Sequence, residues 1–407
     1  MYKKNLATCK VFLFIVIYKR IIFVDDWQYI VAQLDFVRSD KMKKKIYVFF
    51  TILSILSVVT ACSNMNSKEE LKGEVLEEKE DKTETEKIEE MSKVSDYFPF
   101  LQNTLMVYYG EGNEYAEQRV YFDYIEDNKA QIRMINAGTE VVQILEYKDG
   151  ELRKVYSEGE FYHIKNLLKE DIKEDENVEI LLKEPLKVGM SWKLPNGENR
   201  TITGSGVEIN TPYKKFKALE VTTELGDKEK QIDYYVKGIG HVASIYSSAD
   251  FEVKTLLESF EENKPLVHSI RFYYPEEEGT KLVYKNTDFQ FRTNDSIESI
   301  FESGFKNPPS SKEISLISKN TKINSIVVDK ENKIVKVDFS KELIEEMNAG
   351  SSLETQILNS MIYTFTNYYG VDKVYISTDG KPYSSGHYEI RENEYFTRED
   401  ENIEELK

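Results

Sequence analysis

Four histidines and two cysteines bound the chemistry open to this chain of 407 residues. His163, His241, His268 and His387 lie far apart, and no two have the H-x-x-x-H spacing that puts two imidazoles on one helix face. Glu160-Phe-Tyr-His163 is one E-x-x-H, whereas the carboxylate-bridged metal sites that use this spacing need two copies. Structural or surface histidines are therefore expected, with no metal and no cofactor. Gly238-Ile-Gly240-His-Val-Ala243 imitates a dinucleotide fingerprint, but that motif needs a strand before it and a helix after it. His241-Val-Ala-Ser-Ile-Tyr246 continues as β structure, so the glycines are expected to serve a turn. There is no Gly-x-Ser-x-Gly elbow. Glu276-Glu277-Glu278 falls in a turn and Glu345-Glu346 on a solvated helix face, unlike the buried, convergent carboxyls of a glycosidase. No catalytic residue is expected, and the chemistry left is binding.

Two aromatic features could serve binding. Trp192 follows a glycine turn and suits either core packing or a sugar-stacking platform. Tyr108-Tyr109, Tyr234-Tyr235 and Tyr273-Tyr274 put neighbouring rings on opposite faces of a strand, so one ring of each pair should stand outside.

The N-terminus reads as a targeting device. Met42 opens a segment with a basic start (Lys43, Lys44, Lys45) and an apolar core from Ile46 to Val59. That core is short for a bilayer span, which takes about 20 apolar residues. It ends in Val59-Thr60-Ala61-Cys62, which resembles a bacterial lipoprotein processing box. The resemblance implies cleavage before Cys62 and a lipid on its sulfur. Residues 1–41 are then either an over-called leader or an extra membrane-associated segment.

The chain carries 54 basic and 72 acidic residues, a net charge of −18. Removing residues 1–61 takes away ten basic and four acidic side chains and leaves about −24. Such a chain does not neutralise nucleic-acid phosphates, and anionic lipid head groups repel it. It would stay at a membrane through its acyl chains.

Residues 62–96 are rich in charge and free of aromatics, which suits a lipid-anchored, solvated tether. Residues 97–262 read as strands with alternating apolar positions, as in Gln118-Arg-Val-Tyr-Phe-Asp-Tyr124 and Glu140-Val-Val-Gln-Ile-Leu-Glu-Tyr147. Asp149-Gly150 and Asn196-Gly197 are hairpin signals. An all-β antiparallel domain follows, either a sandwich or a curved, partly closed barrel. Only Phe161 to Lys169 suggests a short helix or an irregular link.

From 266 to 398 strand and helix signals mix, predicting a compact α+β domain before an acidic tail at 399–407. Asp295-Ser-Ile-Glu298 and Ser351-Ser-Leu-Glu354 read as capping boxes, and Ser340 as the cap of a short helix. The second box opens a helix expected to bury Leu358, Met361, Ile362, Phe365 and Tyr369 and to stop at Gly370.

At these residues the chain resembles the sporulation and spore-germination (GerM-type) domain family. Ile270-Arg-Phe-Tyr-Tyr-Pro275 resembles its opening strand and Lys336-Val-Asp-Phe-Ser340 its "vdlS" signature. Gly350-Ser-Ser-Leu-Glu354 is similar to "gs..E", and Val374 to Lys381 with Gly386-His387 to its close. The resemblance spans roughly 268–398, with Lys306-Asn-Pro-Pro309 departing from the family's tract and a single such domain present. It implies a non-catalytic, extracytoplasmic module of Gram-positive envelope or sporulation proteins. The expected partners are the membrane through Cys62 and envelope or sporulation proteins, with peptidoglycan as a further one. A second reading is a wall-glycan- or lipid-binding lipoprotein using the β domain.

Overall fold

Alternation builds the first half of the molecule. The computed structural model describes residues 92–172, 178–226, 228–249, 251–276, 281–399 and 402–406. The leader, the signal segment, Cys62, nearly all of the tether, Glu277 and Glu278 lie outside the described residues.

Twelve strands form one antiparallel sheet. They are β1 (Leu105–Glu111), β2 (Gln118–Glu126), β3 (Lys129–Asn136), β4 (Glu140–Lys148), β5 (Glu151–Gly159) and β6 (Glu179–Lys183), then β7 (Ser191–Lys193), β8 (Asn199–Asn210), β9 (Lys215–Gly226), β10 (Glu229–Val236), β11 (Gly240–Ser247) and β12 (Glu252–Glu261). Each strand pairs with its sequence neighbours except at one place: β1 pairs with β12, so β6 and β7 become the two ends of the sheet. The hairpin signals act as read. Asp149 and Gly150 both have positive φ, +54° and +72°, as a tight two-residue turn requires.

The sheet curls until its ends meet, giving the curved barrel rather than the sandwich. No backbone ladder joins β6 to β7. Instead Trp192 Nε1 and Arg200 Nη1 both donate to the carbonyl of Ile180, at 3.0 and 2.9 Å. Side chains fill the interior, among them Met106, Tyr108, Phe122, Leu219, Tyr235 and Leu257. A short N-terminal helix, α1 (Val94–Tyr97), joins them with Val94 and Phe98. Val94 N donates to Glu184 Oε1 at 2.9 Å, and Phe100 stacks on Tyr147 at 4.1 Å. The charged tether thus meets the fold at Val94, two residues before its expected end, because Val94 and Phe98 have apolar surface to bury.

The second half contains β13 (Leu266–Pro275), β14 (Leu282–Phe291), α2 (Ile297–Lys306), β15 (Ile323–Asp329), β16 (Ile334–Phe339), α3 (Glu342–Glu345), α4 (Ser351–Tyr369), β17 (Lys373–Thr378), β18 (Lys381–Pro382), β19 (Phe396–Thr397) and β20 (Ile403–Glu405). One sheet has the order β13-β14-β20, and a second runs β15-β16-β17-β18 with β19 also on β17. The residues expected to face the core from α4 are all buried, and Gly370 ends the helix at φ +65°. Part of the expected acidic tail is a strand: Ile403 to Glu405 pairs in parallel with Leu282 to Tyr284.

Three expected caps are corrected. Ser296, not Asp295, caps α2: its hydroxyl accepts from Ser299 N at 3.3 Å, while Asp295 accepts from Arg292 N at 2.8 Å and closes the preceding turn. The hydroxyl of Ser340 accepts from Lys322 N at 3.0 Å and caps no backbone N–H of α3, while its carbonyl accepts from Leu343 N. Gly350, which has no side chain to cap with, occupies the N-cap of α4 in place of Ser351, and Glu354 is turned inward to other partners. The tyrosine pairs are also corrected. Tyr109 stands outside, 43 % exposed, but Tyr234-Tyr235 and Tyr273-Tyr274 are buried on both sides. A β-bulge falls between Tyr234 and Tyr235 and breaks the alternation. β13 is covered on both faces, with Tyr274 in the main core and Tyr273 against Leu282 and Tyr363.

Candidate functional site

The joint between barrel and C-terminal region is built from charges that sit where apolar residues would be expected. Asp123 on β2 and Arg133 on β3 are fully buried. Arg133 Nη2 lies 2.9 Å from Asp123 Oδ2, and Nη1 lies 2.7 Å from Glu140 Oε2. The same guanidinium donates to the carbonyls of Phe161, at 2.6 Å, and His163, at 2.8 Å. Gln131, also buried, donates to Asp123 Oδ2 and to Lys165 O, and accepts from Leu167 N. Burial raises the Asp123 carboxyl above its ordinary range, and the Arg133 guanidinium opposes that rise. Such a set is tolerable only when every member is bonded. Its result is to fix Phe161 to Lys169, the irregular link, against the barrel wall.

That link carries the C-terminal region. Ile164 N donates to the Tyr368 hydroxyl at 2.8 Å, and that hydroxyl lies 3.0 Å from His268 Nε2. Two side chains after β14 bond back to the barrel. Thr293 Oγ1 donates to Phe122 O and accepts from Asn103 N, both at 2.8 Å. Asn294 makes a two-way pair with the backbone of Ile125, at 2.9 and 3.2 Å. Beneath them Leu105, Tyr121, Tyr124 and Ile164 share one apolar cluster with Phe291, Ile297, Phe301 and Tyr369. The two halves therefore share a core.

A second polar group lies within the C-terminal region. Glu354 in the first turn of α4 is 3 % exposed and accepts from the Tyr383 hydroxyl at 2.7 Å. Its other oxygen is 2.6 Å from His387 Nδ1. Burial pushes the Glu354 pKa up, but hydrogen bonds from Ser385, Tyr383 and His387 overcome it and hold it below 4.5. An ionised carboxylate only accepts, so Nδ1 of His387 carries the proton. The group ties the loop after β18 to the start of α4.

The other expected residues are placed as follows. His163 stacks on Phe161 at 4.3 Å, and burial pushes its pKa down to about 3. His268 is pushed down to about 4 by burial, and His241 Nε2 lies 3.0 Å from Asp233 Oδ1. Among the described residues no three metal-ligating side chains converge. Gly238 and Gly240, at φ +79° and +103°, form the turn between β10 and β11. Trp192 is buried with its Nε1 bonded across the barrel's seam, which removes it as a stacking platform. No described helix is long and apolar enough to cross a membrane. The buried pair Asp123–Arg133 carried one overlooked signal: opposite charges inside two adjacent, otherwise apolar strand runs.

Comparison with known proteins bears on the second half. A family model described as sporulation and spore germination (Germane) matches residues 271–384. The C-terminal region is a GerM-type domain. A solved structure of the tandem GerMN domains of the sporulation protein GerM from Bacillus subtilis is 16 % identical. That match covers 32 % of this chain and 46 % of that one, with a TM-score of 0.25, so the chain spans under half of that relative. The first GerMN domain of the same protein gives 19 % identity, 32 % and 98 % coverage and a TM-score of 0.25. A candidate lipoprotein of Clostridium perfringens gives 20 % identity, 34 % and 90 % coverage and a TM-score of 0.23. No curated protein is significantly similar to the chain. In the GerM-type domain Glu354, Tyr383 and the "vdlS" residue Asp338 all lie within the matched span. Asp338 accepts from Ser377 Oγ at 2.6 Å and Gly380 N at 2.8 Å, closing the β17–β18 turn.

Proposed function

We propose that this chain is a non-catalytic envelope lipoprotein, anchored on the extracytoplasmic face through Cys62, that serves as an interaction module in spore formation or germination. The observation that carries the reading is the GerM-type domain built onto a filled barrel through a shared core. A module that shares a core with its neighbour presents surfaces in fixed relation, as a scaffold must. The edge strand β15, which pairs only with β16 among the described residues, exposes Val327, 47 % accessible, and edge strands are a common means of joining chains. Side chains filling the barrel interior favour scaffolding over the storage of a lipid chain.

The test is crosslinking and co-purification of a tagged chain from membranes of growing and sporulating cells. Enrichment of sporulation-envelope proteins, reduced by Val327→Glu, is the expected result. Recovery of wall fragments or lipid alone, equally from growing cells, would overturn it in favour of a ligand-binding barrel. Metabolic acyl labelling tests the anchor separately: Cys62→Ala should lose both label and membrane attachment.

A further inference from the structure

The barrel's seam leaves an open cleft. A cavity of about 570 Å³ lies beside it, lined among others by Lys154, Glu179, Leu194, Glu198, Arg200 and Leu225. That is within the roughly 300–1,000 Å³ of small-molecule sites. The mouth of a β-barrel is a favoured place for such sites.

The lining charges are two of each sign. Glu179 is shared by both cations: Lys154 Nζ is 2.5 Å from Oε2, and Arg200 Nη2 is 2.9 Å from Oε1. Arg200 also donates from Nε to Thr223 Oγ1 at 2.8 Å and from Nη1 to Ile180 O. An ammonium has three protons and a guanidinium five N–H groups. Among the described residues one of the first and three of the second are engaged, so donors remain for a ligand carboxylate. Across the cleft the turn after β7 brings in Glu198. Its backbone is bonded to Leu194 and Asn196, and its carboxylate has no partner among the described residues. The cleft thus presents surplus donors of positive charge and an unengaged negative group, with Leu194 and Leu225 between them as apolar contact.

The backbone adds a third feature. The outer edge of β6 pairs with no strand, and the Ile180 carbonyl points across the seam to Trp192 and Arg200. Both lone pairs of that carbonyl are thus filled, and Glu179 alone of β6 lines the cleft, so the backbone's part is to hold Arg200 in place beside the site.

We propose that the seam cleft binds a short zwitterionic peptide. Its carboxylate meets Lys154 and Arg200, and its ammonium meets Glu198. A saccharide is disfavoured because the one tryptophan nearby is buried with its N–H engaged. A fatty acid is disfavoured because both walls are charged. This site is independent of the scaffold reading, since no residue of it belongs to the GerM-type domain.

The test uses the purified full chain, with trialanine as probe in titration calorimetry. Binding should weaken about tenfold or more when the probe is N-acetylated or C-amidated, because each block removes one charge-assisted hydrogen bond. Glu198→Gln should lose the preference for the free amine, and Lys154→Met the preference for the free carboxylate, with thermal midpoints near the parent's. Glu198 sits on a turn, so its variant keeps the test valid if Lys154→Met fails to fold. Equal binding of blocked and free trialanine would overturn the proposal, as would no binding at millimolar peptide. Selective binding of a chitooligosaccharide would replace it with a glycan site.

Discussion

The barrel and the GerM-type domain solve burial in opposite ways. The barrel places polar pairs in its walls: the ion pairs Asp123–Arg133 and Glu179–Arg200, and the hydrogen-bonded pair Asp233–His241. The GerM-type domain buries rings, with Phe272 packed against Phe301 and Phe305, and Phe365 completing the set. Its buried polar groups are mostly neutral, such as Thr364, whose hydroxyl accepts from Tyr273 N at 3.1 Å, with Glu354 a buried carboxylate. Ring packing tolerates compensating changes in shape. A buried ion pair tolerates nothing while one member remains, because the survivor is left charged without a partner. The barrel is therefore specified by pairing, and the GerM-type domain by volume.

The largest effects break that contrast directly. Arg133→Met should cost about 3–5 kcal/mol in urea unfolding, since it strands Asp123 and two carbonyls. Adding Asp123→Leu should recover much of that loss, although the Phe161 and His163 carbonyls stay unpaired. In the GerM-type domain Phe301→Ala should cost a similar 3–5 kcal/mol, and truncating Phe305 as well should deepen the loss. If the barrel's double variant proves no better than Arg133→Met, pairing does not specify the barrel. A smaller effect belongs to the joint. Asn294→Ala should cost about 0.5–1.5 kcal/mol by removing its exposed hydrogen bonds to the Ile125 backbone, and hydrogen exchange at Ile125 should report it.

Glu354 sharpens the comparison through pH. Its folded pKa is held below the ordinary 4.5, so its ionised form contributes stability above the unfolded pKa. That contribution fades as pH falls through the folded value. The thermal midpoint of Glu354→Gln should therefore lie furthest below the parent's at neutral pH, and the gap should close in acid. A gap constant with pH would show that Glu354 acts by shape alone.

What could be read beforehand divides along the same line. The apolar face of α4 and its stop at Gly370 were legible because periodicity and a left-handed glycine are local. The caps were half legible. Asp295 and Ser296 are both good cap residues, and the bond from Arg292 N to Asp295 that decides between them depends on the preceding turn. The Glu354 capping box failed because Tyr383 and His387, about thirty residues on, compete for the same carboxylate. The barrel's charge pairs were least legible. Asp123 meets Arg133 only given the β2–β3 register, which shifts between Phe122 and Tyr124. The seam cluster joins strands as far apart in sequence as Lys154 and Gln231.

The smallest effect tests whether electrostatics at the joint's surface matters at all. Lys330 Nζ lies 2.5 Å from Glu158 Oε1 and 4.3 Å from the centre of the Phe161 ring, linking the β15–β16 turn to the end of β5. Both partners are partly exposed, with side chains 43 % and 29 % accessible, so water and salt screen the pair. Lys330→Ala should cost at most about 1 kcal/mol, and less as salt rises. The cation–π contact is less sensitive to salt than the exposed ion pair, and Glu158→Gln, which removes the pair but keeps the ring contact, separates the two. A loss that persists in high salt assigns the effect to the ring contact. A loss above about 2 kcal/mol would mean that the two halves depend on this surface bridge more than on the core they share, and the barrel's reliance on charge would then extend to its joint with the GerM-type domain.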